Sequence, residues 1–244
     1  MLFLLYIRKG KRLEMIEEKS VAAIILVAGN STRYGQNRNK NFEMLHGKTV
    51  LEYSLEAFQE NAYIDTIIIG AKQEEIPMIQ NIIAKEERNK PIDIVVGGKS
   101  RQETVHNCIK QTKADIVIIH DGARPVIQQN YINQCIEAMK ECKGVTVGVP
   151  SKDTIKVTDE NNFVVQTTQR SNTWIVQTPQ CFEREILLAM HEKYQEEEVT
   201  DDCMLLEKSG EKVKIIQGDY TNIKITTYED IGVVENFIAQ MLAK

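Results

Sequence analysis

Apolar runs long enough to cross a membrane are missing from this sequence, although it opens on a short one. The run Met1–Ile7 is followed by a strongly charged stretch. A membrane helix needs roughly 20 apolar residues, so the run is too short to span a bilayer. It also lacks the positive-first order and the small-residue cleavage site of a secretion signal. We therefore expect residues 1–19 to form an N-terminal extension, a candidate for disorder, and we expect no membrane partner.

Cysteine pairs are missing as well. The five cysteines are odd in number, and no two of them form the Cys-x-x-Cys pair that binds zinc or cycles a disulfide. We expect them to be reduced and mostly buried in a cytoplasmic protein.

Basic residues are fewer than acidic residues in this sequence. Lys and Arg total 30 against 35 Asp and Glu, which gives a formal net charge of −5. Broad nucleic-acid binding depends on neutralising phosphates with basic side chains, so this balance argues against a nucleic-acid partner. Any phosphate site must be a local concentration of basic residues.

The apolar residues that are present recur as short, strand-like runs. The chain has 244 residues, 42% of them apolar, which is enough for one large α/β domain, assigned to residues 20–244. Segments of helical periodicity separate the runs, which are 21–28, 64–70, 92–96, 116–119 and 145–149. This alternation predicts a doubly wound, mostly parallel, Rossmann-like sheet with ligands beyond the carboxyl ends of its strands. Later elements are predicted as helices near 183–194, 201–209 and 228–242 and a strand at 213–217.

A different pattern follows Pro150. Residues 154–158 and 163–168 alternate apolar and polar side chains around the turn-like segment Asp159–Asn162. This predicts an antiparallel β-hairpin. Because the doubly wound core offers it no partner, we expect an arm over about residues 151–177 that projects as a lid or pairs with a second subunit.

Two glycine-containing turns are candidate nucleotide sites. Ala28 and Gly29 open a loop that continues through Arg33 and Lys40, where backbone amides and two cations could hold a triphosphate. A solvated loop with scattered cations is the alternative. The glycine spacing does not fit the Gly-x-Gly-x-x-Gly fingerprint, which argues against a dinucleotide-dependent oxidoreductase.

The second turn, Gly97-Gly98-Lys99-Ser100, is not a P-loop, because Asp93 stands where that motif requires its first glycine. Paired glycines at a strand end would let the backbone approach a flat base closely. An ordinary turn from strand to helix is the alternative.

Asp121 directly follows an apolar strand, so it lies at a carboxyl end of the predicted sheet. A single carboxylate beside a triphosphate suits Mg²⁺, which completes its octahedron with phosphate oxygens and water. A helix N-cap is the alternative. For His120, a buried hydrogen-bonded histidine is favoured over a catalytic base.

Three later segments carry weaker signals. Arg170 could be a solvated arm residue, Thr200 could cap a helix, and Lys224 could be an exposed cation on a strand. Their order along the chain, after the segments above, makes a functional interpretation more persuasive.

Taken in order, these segments resemble the family of methylerythritol phosphate cytidylyltransferases and their ribitol phosphate relatives. The resemblance runs from about Val21 to the end and is most specific at three segments, His120–Pro125, Gln177–Gln180 and Asn222–Thr226. It implies a fold of the nucleotide-diphospho-sugar transferase type. It also implies transfer of CMP from CTP to a sugar-alcohol phosphate, release of pyrophosphate, Mg²⁺ as cofactor and a homodimer formed through the arm.

The same resemblance implies roles for individual residues. The catalytic residues would be Arg33, Lys40 and Lys224. The nucleotide would lie against Ala28, Gly29, Gly97, Gly98, Thr104, Asp121 and Gly122, with Asp121 also holding the metal. The acceptor phosphate would be bound by Arg170, Thr200 and Lys224, with Arg170 serving the active site of a partner subunit.

The sequence departs from the family at two places and leaves the acceptor open. Asn39 and Asn41 flank Lys40 where the family has Pro and Gln, and the turn after Gly29 has Asn30 and Ser31 where relatives are richer in glycine. These changes bear on triphosphate geometry. The segment after Thr200 favours methylerythritol 4-phosphate, in isoprenoid precursor synthesis, as acceptor. Ribitol 5-phosphate is the alternative, and a noncatalytic nucleotide-binding protein is a third interpretation.

Overall fold

The predicted alternation of strands and helices is present in the computed structural model, which describes residues 19–29 and 39–243. Of the predicted N-terminal extension only Lys19 is described, and Arg33, Asn30 and Ser31 also lie outside the described residues. The strands are β1 (Val21–Leu26), β2 (Met44–Leu45), β3 (Lys48–Thr49), β4 (Thr66–Ala71), β5 (Ile92–Val96), β6 (Ile116–Asp121), β7 (Gly144–Pro150), β8 (Lys156–Thr158), β9 (Val164–Thr167), β10 (Trp174–Glu183) and β11 (Val213–Gln217). The α-helices are α1 (Val50–Glu60), α2 (Ile76–Ala84), α3 (Arg101–Gln111), α4 (Gln129–Ala138), α5 (Arg184–Lys193), α6 (Cys203–Lys208) and α7 (Glu229–Leu242).

A seven-stranded sheet in the order β11-β7-β10-β6-β1-β4-β5 forms the centre of the fold. All neighbouring pairs are parallel except the two that involve β10. Successive side chains of β1 point to opposite faces: Ala23 and Ile25 pack in one buried cluster and Ile24 in another. The helices α1, α2 and α4 cover the first face, and α3, α5 and α6 cover the second. The predicted mostly parallel, doubly wound sheet is therefore confirmed.

Strand β10 was not predicted from the sequence. Its residues Gln177, Thr178 and Gln180 are polar, yet all three are buried in the middle of the sheet between β6 and β7. The pairing with β7 changes register between Val176 and Gln180. The predicted end of the arm, near residue 177, falls inside this strand.

The predicted hairpin is confirmed as a separate two-stranded antiparallel sheet formed by β8 and β9. Asp159 closes its turn, because one carboxylate oxygen accepts hydrogen bonds from the backbone amides of Asn161 and Phe163, both at 2.9 Å. Phe163 and the two valines that follow it are exposed. The hairpin thus projects an apolar surface away from the core.

Strand order reverses at β1, because β4 and β5 lie on one side of it and β6 on the other. In doubly wound sheets, ligands bind in the crevice outside the carboxyl ends of the strands at this point. Leu26 at the end of β1 is in register with Asp121 at the end of β6. The fold therefore places Asp121 at the edge of that crevice.

Candidate functional site

Three cations surround the carboxylate of Asp121. Lys224 Nζ lies 2.7 Å from Oδ2, Arg124 Nε lies 3.8 Å from the same oxygen, and Arg101 Nε lies 3.6 Å from Oδ1. Burial by itself would raise the pKa of Asp121, but Lys224, Arg101 and Arg124 outweigh it and hold that pKa well below its usual range. The carboxylate is therefore ionised in the folded protein. The alternative that Asp121 caps a helix is wrong, because the next helix begins only at Gln129.

Backbone and side-chain hydrogen bonds fix the position of this strand end. The amide of Asp121 donates to Thr178 Oγ1 at 3.1 Å, and that hydroxyl lies 3.0 Å from His120 Nδ1. His120 Nε2 lies 3.1 Å from the carbonyl oxygen of Arg124, which can only accept. His120 is therefore neutral, donates from Nε2 and accepts the Thr178 hydroxyl at Nδ1. This confirms the expectation of a buried, hydrogen-bonded histidine.

The burial of His120 has a pH-dependent consequence. Burial lowers its pKa to about 4 from an ordinary value near 6.5, so the unfolded chain binds the proton first as the pH falls. The contribution of neutral His120 to the free energy of unfolding is therefore complete above pH 6.5 and declines from there to about pH 4. We expect protonation of His120 to lower the free energy of unfolding by on the order of 3 kcal/mol between pH 6.5 and about pH 4. Urea unfolding at a series of pH values should show a shallower decline for His120→Gln, and parallel curves would contradict the assignment.

Lys40 lies in a single 3₁₀ turn, Lys40–Phe42, that packs near the end of β1. Asn39 and Asn41, which depart from the family pattern, both stabilise this turn. The Asn39 side chain accepts the amide of Asn41 at 3.0 Å, and its Nδ2 donates to the Val27 carbonyl oxygen at 3.1 Å. Asn41 Nδ2 donates to Asn39 Oδ1 at 2.8 Å. The two asparagines thus tie the turn that carries Lys40 to the sheet.

The glycine turn after β5 leads directly into α3. The amide of Gly98 donates to Thr104 Oγ1 at 3.0 Å, and that hydroxyl donates to the Ser100 carbonyl oxygen at 2.9 Å. A methyl group added at Gly97 would lie 2.7 Å from Ala28 Cβ, and one added at Gly98 would collide with the Glu103 side chain. At Gly122 an added methyl would lie 3.0 Å from the Leu26 carbonyl oxygen. The backbone at all three positions is close-packed against its neighbours.

These parts converge on one pocket of about 590 Å³ at the switch point. It is lined by predicted site residues from five segments of the chain, namely Ala28, Gly29, Lys40, Gly98, Thr104, Asp121 and Lys224. Gly97 and Gly122 are adjacent to lining residues. A larger cavity of about 690 Å³ lies near the opposite end of β6, beside Ile116, and no predicted site residue within the described part of the chain lines it. We assign the site by its chemistry and not by cavity size.

A second pocket of about 580 Å³ adjoins the first and shares Arg101, Asp121 and Lys224 with it. Thr200 lines this second pocket. Thr200 does not cap α6, because the cap position is Asp202 and the amide of Met204 is bonded by Asp201. Lys224 lies in an irregular segment and not on a strand.

Among the predicted site residues that the structure describes, Arg170 is the one that the fold does not bring to either pocket of its own chain. It begins a 3₁₀ turn, Arg170–Asn172, at the base of the arm, and it is exposed. Its expected role in a partner subunit's site stays a prediction.

The ion pair of Arg101 and Asp202 was not predicted from the sequence. Arg101 lines both pockets, and its Nη1 donates to Asp202 Oδ2 at 2.7 Å. The signal for Arg101 was the Ser100-x-x-Glu103 pattern, which starts a helix at a strand's carboxyl end. No local pattern marks Asp202 as its partner, because the two residues are 101 positions apart.

Within residues 19–29 and 39–243, no helix has both the length and the apolar character needed to cross a membrane. In the same part of the chain, His, Cys, Asp and Glu side chains form no cluster of three that could hold a metal ion by themselves.

A cleft that fixes cations around one ionised carboxylate at the switch point of a parallel sheet suits the transfer of an anionic nucleotide. The protein is a nucleotidyltransferase. A sequence profile of 2-C-methyl-D-erythritol 4-phosphate cytidylyltransferase matches residues 21–240. The chain belongs to the 2-C-methyl-D-erythritol 4-phosphate cytidylyltransferase family.

Individual relatives agree with this membership. The enzyme of that name from Caldanaerobacter subterraneus is 46% identical over 224 residues, which are 90% of this chain and 99% of the relative. The one from Clostridium beijerinckii is 41% identical over 225 residues, 91% of this chain and 100% of the relative. The crystal structure of 4-diphosphocytidyl-2C-methyl-D-erythritol synthase from Anaerococcus prevotii matches with a TM-score of 0.83 at 32% identity, covering 93% of this chain and 99% of that one. The predicted family and enzyme class are confirmed, and methylerythritol phosphate is favoured over ribitol phosphate.

Proposed function

We propose that this chain transfers CMP from CTP to 2-C-methyl-D-erythritol 4-phosphate, in isoprenoid precursor synthesis, at the junction of its two pockets. The observation that carries the proposal is that two pockets of nearly equal size share Arg101, Asp121 and Lys224. One pocket would hold the nucleotide and the other the acceptor. The two anions would then meet beside Lys224.

The nucleotide would occupy the pocket lined by the glycine turns. Ala28 and Gly29 would face the phosphates together with Lys40 and, from outside the described residues, Arg33. The base would lie against Gly97, Gly98 and Thr104, where glycines let the backbone approach a flat ring, and the ribose would lie near Gly122.

Gly97→Ala tests this placement of the base. The added methyl would lie 2.7 Å from Ala28 Cβ and 2.9 Å from Thr104 Oγ1, so the pocket wall must shift. We expect the KM for CTP to rise about tenfold, which corresponds to an overpacking cost of roughly 1.4 kcal/mol. Steady-state kinetics against Gly232→Ala, where an added methyl meets nothing within 4 Å, gives the comparison. An unchanged KM would remove Gly97 from the base site.

The acceptor would lie in the second pocket, with Thr200 and Lys224 at its phosphate. We propose that Arg170 reaches the acceptor phosphate of a partner subunit, which requires a homodimer formed through the arm. The exposed side chains of Phe163, Val164 and Val165 support this, because an apolar hairpin surface is stabilised when a second copy covers it.

The reaction needs alignment more than proton transfer. An oxygen of the acceptor phosphate attacks the α-phosphorus of CTP, a new P–O bond forms, and pyrophosphate leaves with the electrons of the broken anhydride bond. The nucleophile is already anionic, so no general base is required. Lys40, Lys224 and Arg33 would hold the two repelling anions in line and stabilise the charge that develops between them.

Mg²⁺ is the proposed cofactor, and Asp121 fits one part of its coordination. Its carboxylate is ionised and faces the nucleotide pocket, and Mg²⁺ is commonly held by one or two carboxylates plus substrate phosphates and water. When bound there, the ion would neutralise triphosphate charge.

We also propose a cytoplasmic location. Its support is that all five cysteines are free and that four of them are buried, as expected of a chain kept in a reducing compartment.

A pyrophosphate-release assay with CTP and Mg²⁺ tests the function. Methylerythritol 4-phosphate and ribitol 5-phosphate should be compared side by side at equal concentration. We expect release with the first acceptor and little with the second. Release with ribitol 5-phosphate and not with methylerythritol 4-phosphate would identify ribitol 5-phosphate as the acceptor. CTP binding without any release would show that the chain binds the nucleotide without catalysis.

A further inference from the structure

The side chain of Arg101 lies where the nucleotide and acceptor pockets meet and lines both of them. Its backbone is fixed by the start of α3, where the Ser100 side chain accepts the amide of Glu103 at 3.0 Å. Burial would lower the pKa of Arg101, but Asp202 and Asp121 raise that pKa by a larger amount, so the guanidinium is always charged. The pockets therefore share a permanent cation beside Lys224.

One side of this guanidinium is anchored in the protein interior. Arg101 Nη1 donates to Asp202 Oδ2 at 2.7 Å, and His191 Nε2 lies 3.1 Å from Asp202 Oδ1. Asp202 is completely buried. Burial would raise its pKa, but Arg101 and His191 hold that pKa below its usual range, so the carboxylate is ionised. With both oxygens bonded, Asp202 cannot rotate, and it holds Arg101 in one orientation.

The other side of the guanidinium faces Asp121. Arg101 Nε approaches Oδ1 at 3.6 Å, whereas Lys224 and Arg124 both approach Oδ2. Arg101 therefore faces Oδ1, whereas Lys224 and Arg124 face the other carboxylate oxygen. If Lys224 turns to a substrate phosphate, the contact at Oδ1 still restrains the carboxylate.

We propose that Arg101 is a positioning residue for nucleotidyl transfer: fixed by Asp202 and His191, it holds Asp121 in its working orientation while Lys224 engages the substrate. This inference rests on the proposed function and assigns parts to Arg101, Asp202 and His191 that the family resemblance did not.

Conservative substitutions test the proposal. Lysine at position 101 keeps the charge but lacks the planar fork that faces the two carboxylates through separate nitrogens, and Asp202→Asn keeps the shape but places an amide against the guanidinium. We expect each of Arg101→Lys and Asp202→Asn to lower kcat by on the order of 10–100-fold, with the KM for CTP within about threefold, while circular dichroism shows that the variant is folded at the assay temperature. Arg184→Lys is the matched control, since Arg184 bonds the Ile109 carbonyl oxygen away from both pockets.

Two further measurements separate positioning from a purely structural role. If Asp202 acts through Arg101, the double variant should be no more than about twofold slower than Arg101→Lys, because coupled effects are not additive. Titration calorimetry of CTP with and without Mg²⁺, in the absence of acceptor, should show a smaller gain in affinity from Mg²⁺ in both single variants than in the wild type.

The outcomes distinguish the inference from the function on which it rests. A wild-type chain that releases no pyrophosphate with either acceptor refutes the proposed function. An active wild type with kcat unchanged in both variants, or with additive losses in the double variant, refutes the positioning role. Should Arg101→Lys fail to fold, Asp202→Asn decides the matter alone through kcat and calorimetry.

Discussion

Replacing Lys224 by alanine is expected to lower kcat by about 10²–10³ while the chain keeps its fold, because one preorganised electrostatic contact to the reacting phosphates is removed. Lys224 Nζ lies 2.7 Å from Asp121 and borders both pockets. Its side chain is about one-third exposed, so substrate can reach it. Arg101 and Arg124 remain beside Asp121 in the variant, which keeps the buried carboxylate paired.

The measurement is pyrophosphate release at saturating CTP and acceptor, with circular dichroism to establish folding. Lys214→Ala is the matched control, because Lys214 pairs with Glu141 on the surface and lines neither pocket. Lys40→Ala should also lose most of its turnover. Near-normal turnover in both Lys40→Ala and Lys224→Ala would discredit the assignment of these cations.

Asp121→Asn is expected to reduce kcat by at least about 10³, with weakened dependence on Mg²⁺. The substitution preserves shape but removes the negative charge around which Lys224, Arg101 and Arg124 are arranged. It therefore removes the proposed metal ligand and also leaves three cations mutually repelling. Kinetics over a range of Mg²⁺ concentrations, together with thermal unfolding, measure both consequences.

Asp115→Asn provides the comparison for that variant. Asp115 immediately precedes the other end of β6 and accepts hydrogen bonds from the amide and hydroxyl of Ser20, both at 2.7 Å. Its loss should change stability without changing kcat. If Asp121→Asn retained kcat and its Mg²⁺ dependence, the metal site would have to be sought elsewhere.

Much of the fold was predictable because buried parallel strands are apolar along their whole length. The six residues of β1 and of β6 are nearly all inaccessible to solvent, and their apolar runs stand out in the sequence. Strand β10 did not stand out, because Gln177, Thr178 and Gln180 interrupt its apolar pattern. Distant segments supply hydrogen-bond partners to this strand: Asn222 donates to the Thr178 carbonyl oxygen at 2.9 Å, and Gln180 donates to Asp201 at 2.9 Å. A strand of this composition is stable only in the sheet that supplies those partners.

Some residues of the candidate site were likewise predictable from the sequence, and others were not. Asp121 was predictable as a strand-end carboxylate, and Lys40 as a cation after the first strand. The packing of the asparagines beside Lys40 was not, since Asn39 bonds the carbonyl oxygen of Val27, which lies 12 positions away in the sequence. No local pattern marks Arg101 and Asp202 as partners, and only the folded chain brings their charges to 2.7 Å.

By itself, the sequence determined the class of fold, the edge of the sheet where a ligand would bind and the family to which the chain belongs. Hydrophobic periodicity and short motifs are local patterns, and these three conclusions depend only on local patterns. The tertiary structure decided which charges meet, because a Coulomb interaction depends on the distance between side chains and on their burial. Neither quantity is present until the strands are ordered around β1.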